Sequence, residues 1–230
     1  MKIICVFKES KDFPVDYVRI FSNVFRAYHP DIDQLCLTDY SGKGFPSTIE
    51  KIPFNHDFIK EHGWFGKMEL FRPDIEDDLF YCDLDNIIRK PLDNFFEYHQ
   101  SNPDMPFMIN DVDPKQKRMQ SAVMYIPNSK KHLVWDPFID SATAIIKQAG
   151  KFGDAKIIRE SDGWKTECKT YQTTFASNCI ISYRHGWINR KIQSNDVQIV
   201  CMHGKNEKPL QNKFAIKPLV KDHVLKWNKQ

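Results

Sequence analysis

The sequence predicts a single mixed α/β domain. Three observations carry this: a strand, helix, strand order over residues 3–38, a series of later short apolar runs bounded by polar turns, and enough apolar residues for one large core. The chain has 230 residues, of which 41% are hydrophobic and 13% aromatic. At that size one domain buries most of the surface that its unfolded chain exposes.

Ile3 to Phe7 is a continuous apolar run ended by Lys8 and Glu9, the pattern of a parallel strand covered on both faces. Val15, Val18, Ile20-Phe21, Val24-Phe25 and Tyr28 then recur at helical spacing until His29-Pro30. Gln34 to Thr38 is a second strand, entering a Gly/Ser/Pro loop at 41–47. A βαβ unit therefore opens the chain.

Trp64 to Phe71 has helical spacing around Lys67 and is stopped by Pro73. Leu79 to Cys82 is a third buried strand, running directly into Asp83. Met105 to Ile109 and Ser121 to Ile126 are further strands, separated by a polar segment. Lys130 to Lys147 reads as one helix with Leu133-Val134, Phe138 and Ile145-Ile146 on its core face. Residues 150–164 are charged and contain glycine, so a loop or lid is expected there. Val197 to Met202 is a last strand. Beyond it, Pro218, Leu219, Val220, Val224 and Trp227 suggest a closing amphipathic helix in a Lys-rich tail.

The balance of 33 basic and 30 acidic residues, net +3, is interleaved, which argues against nucleic acid as the partner. The lysine-rich tail suggests weak peripheral attraction to an anionic membrane, with a solvated helix face as the plainer reading. Cysteines 5, 36, 82, 168, 179 and 201 are widely spaced and form no C-x-x-C pair. We read them as reduced core thiols of a cytoplasmic protein. The apolar start is too short for a signal peptide, and no segment has the roughly 18 apolar residues of a membrane span.

Two sequence features carry chemistry. Asp83 and Asp85 flank Leu84 at a strand's carboxyl end, where open α/β sheets place ligands. Alternation directs both carboxylates to one side and Leu84 into the core. Such hard oxygens suit Mg²⁺ or Mn²⁺, although an acidic pair also caps ordinary turns. Cys201-Met202-His203-Gly204 is a second apolar strand ending in an imidazole, whose nitrogen as third ligand favours Mn²⁺. Gly204 admits close approach of a diphosphate, and Lys205 or Lys208 supplies positive charge. The plainer alternative is a surface histidine that begins a basic tail.

Several words in fixed order give a resemblance. They are Leu35-Cys36-Leu37-Thr38-Asp39, the stretch Gly63 to Pro73, Phe80 to Asp85, Ser121-Ala122-Val123-Met124, Trp135-Asp136, and Ile199 to Lys205. In this the chain resembles compact bacterial, phage and viral glycosyltransferases of the GT-A fold, related at a distance to the glycogenin and galactosyltransferase group, family 8-like. The resemblance implies a Rossmann-like nucleotide-binding mixed sheet flanked by helices over residues 1–210. Residues 211–230 would be a Lys-rich helix or tail packed on, or extending from, that domain.

What the resemblance implies for residues is specific. Asp83 and Asp85 contact metal and donor, His203 completes the metal site, and Lys208 meets the phosphates. Lys67 reaches the donor's diphosphate or sugar; a snorkelling helix lysine is its plain alternative. Asp111 is the candidate for sugar recognition or acceptor activation, with Asp113 as the alternative. The family's Gly-Asp-Gln word has its apparent equivalent in Thr170-Tyr171-Gln172, where the aspartate is missing. Gln172 then fits a retaining transfer, in which an amide stands near the anomeric carbon. The wider spacing from His203 to Lys208 leaves Lys205 as the other phosphate contact.

The activity expected is transfer of a sugar from a UDP-sugar or similar nucleotide-sugar, with Mn²⁺ or Mg²⁺, to a hydroxyl acceptor such as a glycan. Two other classes stay open. One is a non-catalytic nucleotide-sugar-binding module, motivated by the missing aspartate. The other is a haloacid-dehalogenase-like phosphatase, whose Asp-x-Asp normally follows the first strand.

Overall fold

The computed structural model describes residues 1–57, 63–111, 118–150, 153–189 and 195–202. Its main sheet has seven strands in the order β3-β2-β1-β4-β7-β6-β8. These are β1 Lys2–Val6, β2 Gln34–Leu37, β3 Glu50–Ile52, β4 Leu79–Cys82, β6 Phe107–Asn110, β7 Met119–Ile126 and β8 Lys169–Thr170. Strands β2, β3 and β4 run parallel to their neighbours up to β1, and β7 is antiparallel to both β4 and β6. A second sheet of three strands has the order β5-β10-β9, formed by Ile87–Ile88, Ile199–Cys201 and Ile180–Ser182. The expected mixed sheet with flanking helices is what the chain forms.

Alternation along the central strands sorts the core into two layers. Ile3, Cys5, Phe7, Phe80 and Cys82 face the helices Asp16–Tyr28 and Asp93–Ser101. Ile4, Leu79 and Tyr81 face the opposite layer, made by the 3₁₀-type helix Gly63–Phe71 and the helices between 132 and 167. Both faces are covered, which is why Ile3-Ile4-Cys5 is apolar without interruption. The first helix buries Tyr17, Val18, Phe21, Val24 and Phe25. Pro30 cannot continue it, and the His29 imidazole accepts the Leu92 N–H at 3.0 Å.

Three elements differ from expectation. Strand β3 is an edge strand of sequence Glu-Lys-Ile with little burial, so it lacks the apolar signal of its neighbours. The helix expected over 130–147 is broken into His132–Ile139 and Ala142–Ala149. Pro137 lies inside the first piece, and its missing N–H withholds a hydrogen bond just before the break. The loop or lid expected over 150–164 is instead largely helical, Gly153–Glu160 followed by Asp162–Glu167. Ala155, Ile157 and Ile158 are buried, and Trp164 is fully buried in the second layer. Of the charged residues that suggested a loop, Glu160 and Asp162 are exposed on the outer face of packed helices, whereas Asp154 is buried.

The 3₁₀-type helix is pinned by a buried ion pair. Glu69, 0% exposed, accepts from Asn55 N and His56 N at 2.8 Å each and from Arg72 Nη1 at 2.6 Å. Arg72 also spans both oxygens of Asp74 at 2.9 Å. With its lone pairs occupied, the pair is satisfied and its geometry fixed. That anchor holds Lys67, two residues before Glu69, against the sheet.

His99 gives the first layer a pH dependence. It is 1% exposed, stacks on Tyr125 with ring centroids 3.9 Å apart, and shares a 2.9 Å hydrogen bond with the Tyr171 hydroxyl. Burial pushes its imidazole down from 6.5 to about 3. Above pH 6.5 neither folded nor unfolded chain carries this proton. Below it the unfolded chain binds a proton that the folded one refuses, so stability falls from pH 6.5 toward 3. The loss from this group is about 2 kcal/mol at pH 5. Denaturant unfolding near pH 7.5 and pH 5 should show it, and His99→Phe should shrink the difference by about that amount.

Among the described residues, no helix is long and apolar enough to cross a membrane. Five of the six cysteines are buried thiols, and Cys168 is partly exposed. The expected C-terminal helix and residues 211–230 lie outside the described residues.

Candidate active site

At the carboxyl ends of β1 and β4 the sheet opens into a cleft of about 700 Å³, well within the range of ligand sites. Its walls include the loop after β1, with Lys8, Glu9 and Asp12, and the side chains Lys67, Tyr81, Asp83, Asp85 and Asp154. A second cavity of about 410 Å³ shares Phe7, Lys8 and Glu9 and extends past Asp39 and Tyr40 at the end of β2.

Local geometry explains why the acidic pair faces the cleft. β4 alternates, so Leu79, Tyr81 and Asp83 point to one layer while Cys82 and Leu84 point to the other. Leu84 is 8% exposed and belongs to the first-layer core. Asp83 N still donates to Ala122 O at 2.9 Å, and Asn86 N closes a turn onto Asp83 O at 3.1 Å. The backbone through the pair is thus held at both ends.

Lys67 is the charge centre of the site. Its ammonium lies 2.9 Å from Asp83 Oδ1 and 3.6 Å from Asp154 Oδ2. Ser121 Oγ donates to the same Asp154 oxygen at 2.5 Å. Burial alone would lower the Lys67 pKa. The carboxylates of Asp154 and Asp83, with Asp85 behind them, outweigh it and hold the lysine above its ordinary value. Lys67 is therefore a fixed cation facing three carboxylates.

The predicted residues are not all gathered at one point. Lys67, Asp83 and Asp85 share the cleft. Asp111 lies at the end of β6, where its Oδ2 accepts from Arg118 Nε at 2.6 Å and Gln120 Nε2 at 2.7 Å. With β7 between β4 and β6, that is two strand spacings away, about 10 Å. Gln172 is tied to backbone at both ends of its amide, accepting from Asn110 N at 2.9 Å and donating to Ile180 O at 3.2 Å. Neither residue is among the walls of the 700 Å³ cleft. His203, Gly204, Lys205, Lys208 and the alternative Asp113 lie outside the described residues.

Sequence reasoning missed Asp154, Ser121 and Tyr81 as site residues. The signal for Asp154 was present: Gly153-Asp154 is the chain's one Gly-Asp pair, and it opens a helix. Gly153 has φ +62°, a conformation that favours glycine, and the next residue turns its carboxylate to Lys67. A carboxylate, which the Thr170-Tyr171-Gln172 word lacks, stands 3.6 Å from Lys67. The site thus holds a Gly-Asp pair before a helix, with alanine where the word has glutamine.

The oxygen donors of the cleft suit a divalent metal by their own chemistry. Asp83 and Asp85 offer hard carboxylate oxygens on one side of the chain. Both the Lys67 and the Tyr81 contacts to Asp83 fall on Oδ1, so Oδ2 carries neither. These residues fit Mg²⁺ or Mn²⁺. Among the described residues no group of three His, Cys, Asp or Glu side chains forms a complete ligand set. β10, which leads toward His203, is antiparallel to β5 just after Asp85, with Val200 opposite Ile87.

No protein-family model matches the sequence, and no curated protein matches it significantly. Solved structures do match. A galactosyltransferase, LgtC, in complex with donor and acceptor sugar analogues is 13% identical with a TM-score of 0.63, over 90% of this chain and 88% of that one. The glycosyltransferase GlyE of Streptococcus pneumoniae TIGR4 is 14% identical with a TM-score of 0.67, over 100% of this chain but 60% of its own. A glycosyltransferase involved in glycosylation of the major capsid of PBCV-1 is 9% identical with a TM-score of 0.60, over 93% and 97%. At such identities the likeness establishes the architecture: the chain has the GT-A fold.

Proposed function

We propose that this GT-A chain is a metal-dependent glycosyltransferase that moves a sugar from a nucleotide-sugar, a UDP-sugar in the simplest case, to a hydroxyl of a glycan or similar acceptor. The observation that carries the reading is Asp83 and Asp85 at the end of β4, beside Lys67, in a cleft of about 700 Å³. The adjoining cavity past Asp39 and Tyr40 has room for the nucleoside end of such a donor.

Asp83 and Asp85, with His203, would hold Mn²⁺ or Mg²⁺. When bound, the metal supplies positive charge for the departing diphosphate. Lys67 adds a second, permanent cation on the same side, and Lys205 or Lys208 is proposed for the phosphates. Asp154 is proposed to take the proton of the attacking acceptor hydroxyl, as the carboxylate that an inverting transfer requires. Asp111, steadied by Arg118 and Gln120, is proposed for hydroxyls of the donor sugar. Gln172 keeps its place as the candidate of a retaining route, although its amide is engaged by backbone at both ends.

A non-catalytic binding module is motivated by the carboxylate lacking beside Gln172, and Asp154 in the cleft, 3.6 Å from Lys67, supports the enzyme over it. A phosphatase reading gains nothing from the geometry, since the acidic pair follows the fourth strand of the chain.

Calorimetric titration of Mn²⁺ in the presence of UDP tests the site. The parent should bind, and Asp85→Ala and His203→Ala should each weaken metal affinity by about tenfold or more. Parental affinity in both variants would refute the metal assignment. A thermal-shift screen of nucleotide-sugars with Mn²⁺ identifies the donor.

A further inference from the structure

Tyr81 reaches the metal-side carboxylate from within the core. Its ring is 2% exposed, and its hydroxyl donates to Asp83 Oδ1. Lys67 Nζ approaches that same oxygen at 2.9 Å and stands 5.4 Å over the Tyr81 ring. A buried phenol needs an acceptor, but Asp83 does not need this donor to be satisfied. Its side chain is 25% exposed, so water reaches it. What the hydroxyl adds is direction, because two donors from the interior converge on one oxygen and oppose rotation of the carboxylate.

We infer that Tyr81 is a positioning residue: its hydroxyl fixes the rotation of Asp83 and so raises the affinity of the site for a divalent cation. The inference rests on the glycosyltransferase reading and deepens it. Groups behind a ligand set its orientation, and their loss is felt in metal affinity before it is felt in the fold. Tyr81 touches neither donor nor acceptor in this role.

The test compares two tyrosines in the full chain. Tyr81→Phe keeps the ring and removes the oxygen. Tyr125→Phe is the control: Tyr125 is 1% exposed on neighbouring β7, and its hydroxyl donates to Pro103 O at 3.0 Å, outside the walls of the cleft. Mn²⁺ is titrated calorimetrically in the presence of UDP, and UDP is titrated separately in EDTA. Tyr81→Phe should bind Mn²⁺ about tenfold more weakly, with UDP affinity in EDTA unchanged, while Tyr125→Phe keeps parental Mn²⁺ affinity. Equal Mn²⁺ affinity in Tyr81→Phe and the parent, or an equal drop in both variants, overturns the inference and leaves the functional reading standing. Absence of Mn²⁺ binding by the parent with UDP overturns the reading and the inference with it.

Discussion

Asp154→Asn should lower sugar transfer by about 10²–10⁴-fold, the contribution of a positioned general base, while Mn²⁺ binding with UDP stays near the parental value. The substitution is nearly isosteric, so the amide still meets Ser121, which now donates to Asp154 at 2.5 Å. What disappears is the charge facing Lys67 and the capacity to accept a proton. Turnover of labelled nucleotide-sugar with acceptor, measured beside calorimetric UDP binding, separates chemistry from donor binding. Transfer within about threefold of the parent would exclude Asp154 as the base. Joint loss of transfer and UDP binding would assign it to donor binding instead.

Trp164→Ala should destabilise the fold by about 3–5 kcal/mol, as for other fully buried large side chains. Trp164 is 0% exposed, meets Phe71 edge-on at 5.2 Å, and its indole N–H points to Met108 Sδ at 3.4 Å. Those contacts bind the helix Asp162–Glu167 to the end of the Lys67-bearing helix on one side and to β6 on the other. The midpoint of urea unfolding reads the effect. A loss under about 1 kcal/mol is the size expected of a surface substitution and would mean that this segment is the loop first expected from its composition.

Much of the fold was legible because its signals are local. Ile3 to Phe7, the stripe from Val18 to Phe25, and Leu79 to Cys82 announce themselves by period and apolarity. Tyr81 was legible in principle too, since period two along β4 puts it on the face of Asp83. The helices over 153–167 were hidden because the charged Lys156, Arg159, Glu160 and Asp162 are interleaved with the buried Ala155, Ile157, Ile158 and Trp164, which blurs the helical period. Asp154 was missed for a related reason: the aspartate was sought beside Gln172, and proximity to Lys67 is a property of tertiary packing. β3 left no signal because an exposed edge strand needs none.

The way the small sheet is assembled bears on the order in which the molecule acquires its parts. Asp83-Leu84-Asp85 is followed at once by β5, yet the partner of Ile88 is Ile199, near the far end of the described chain. Closing so long a loop costs entropy before any contact repays it. The central strands, whose β1, β2 and β4 lie within the first 82 residues, can pair early. The turn that carries the acidic pair gains its second flank only when the last strand arrives. A refolding chain should accordingly regain its compact core before it regains the capacity to hold a cation, with the binding cleft the last part of the molecule to mature.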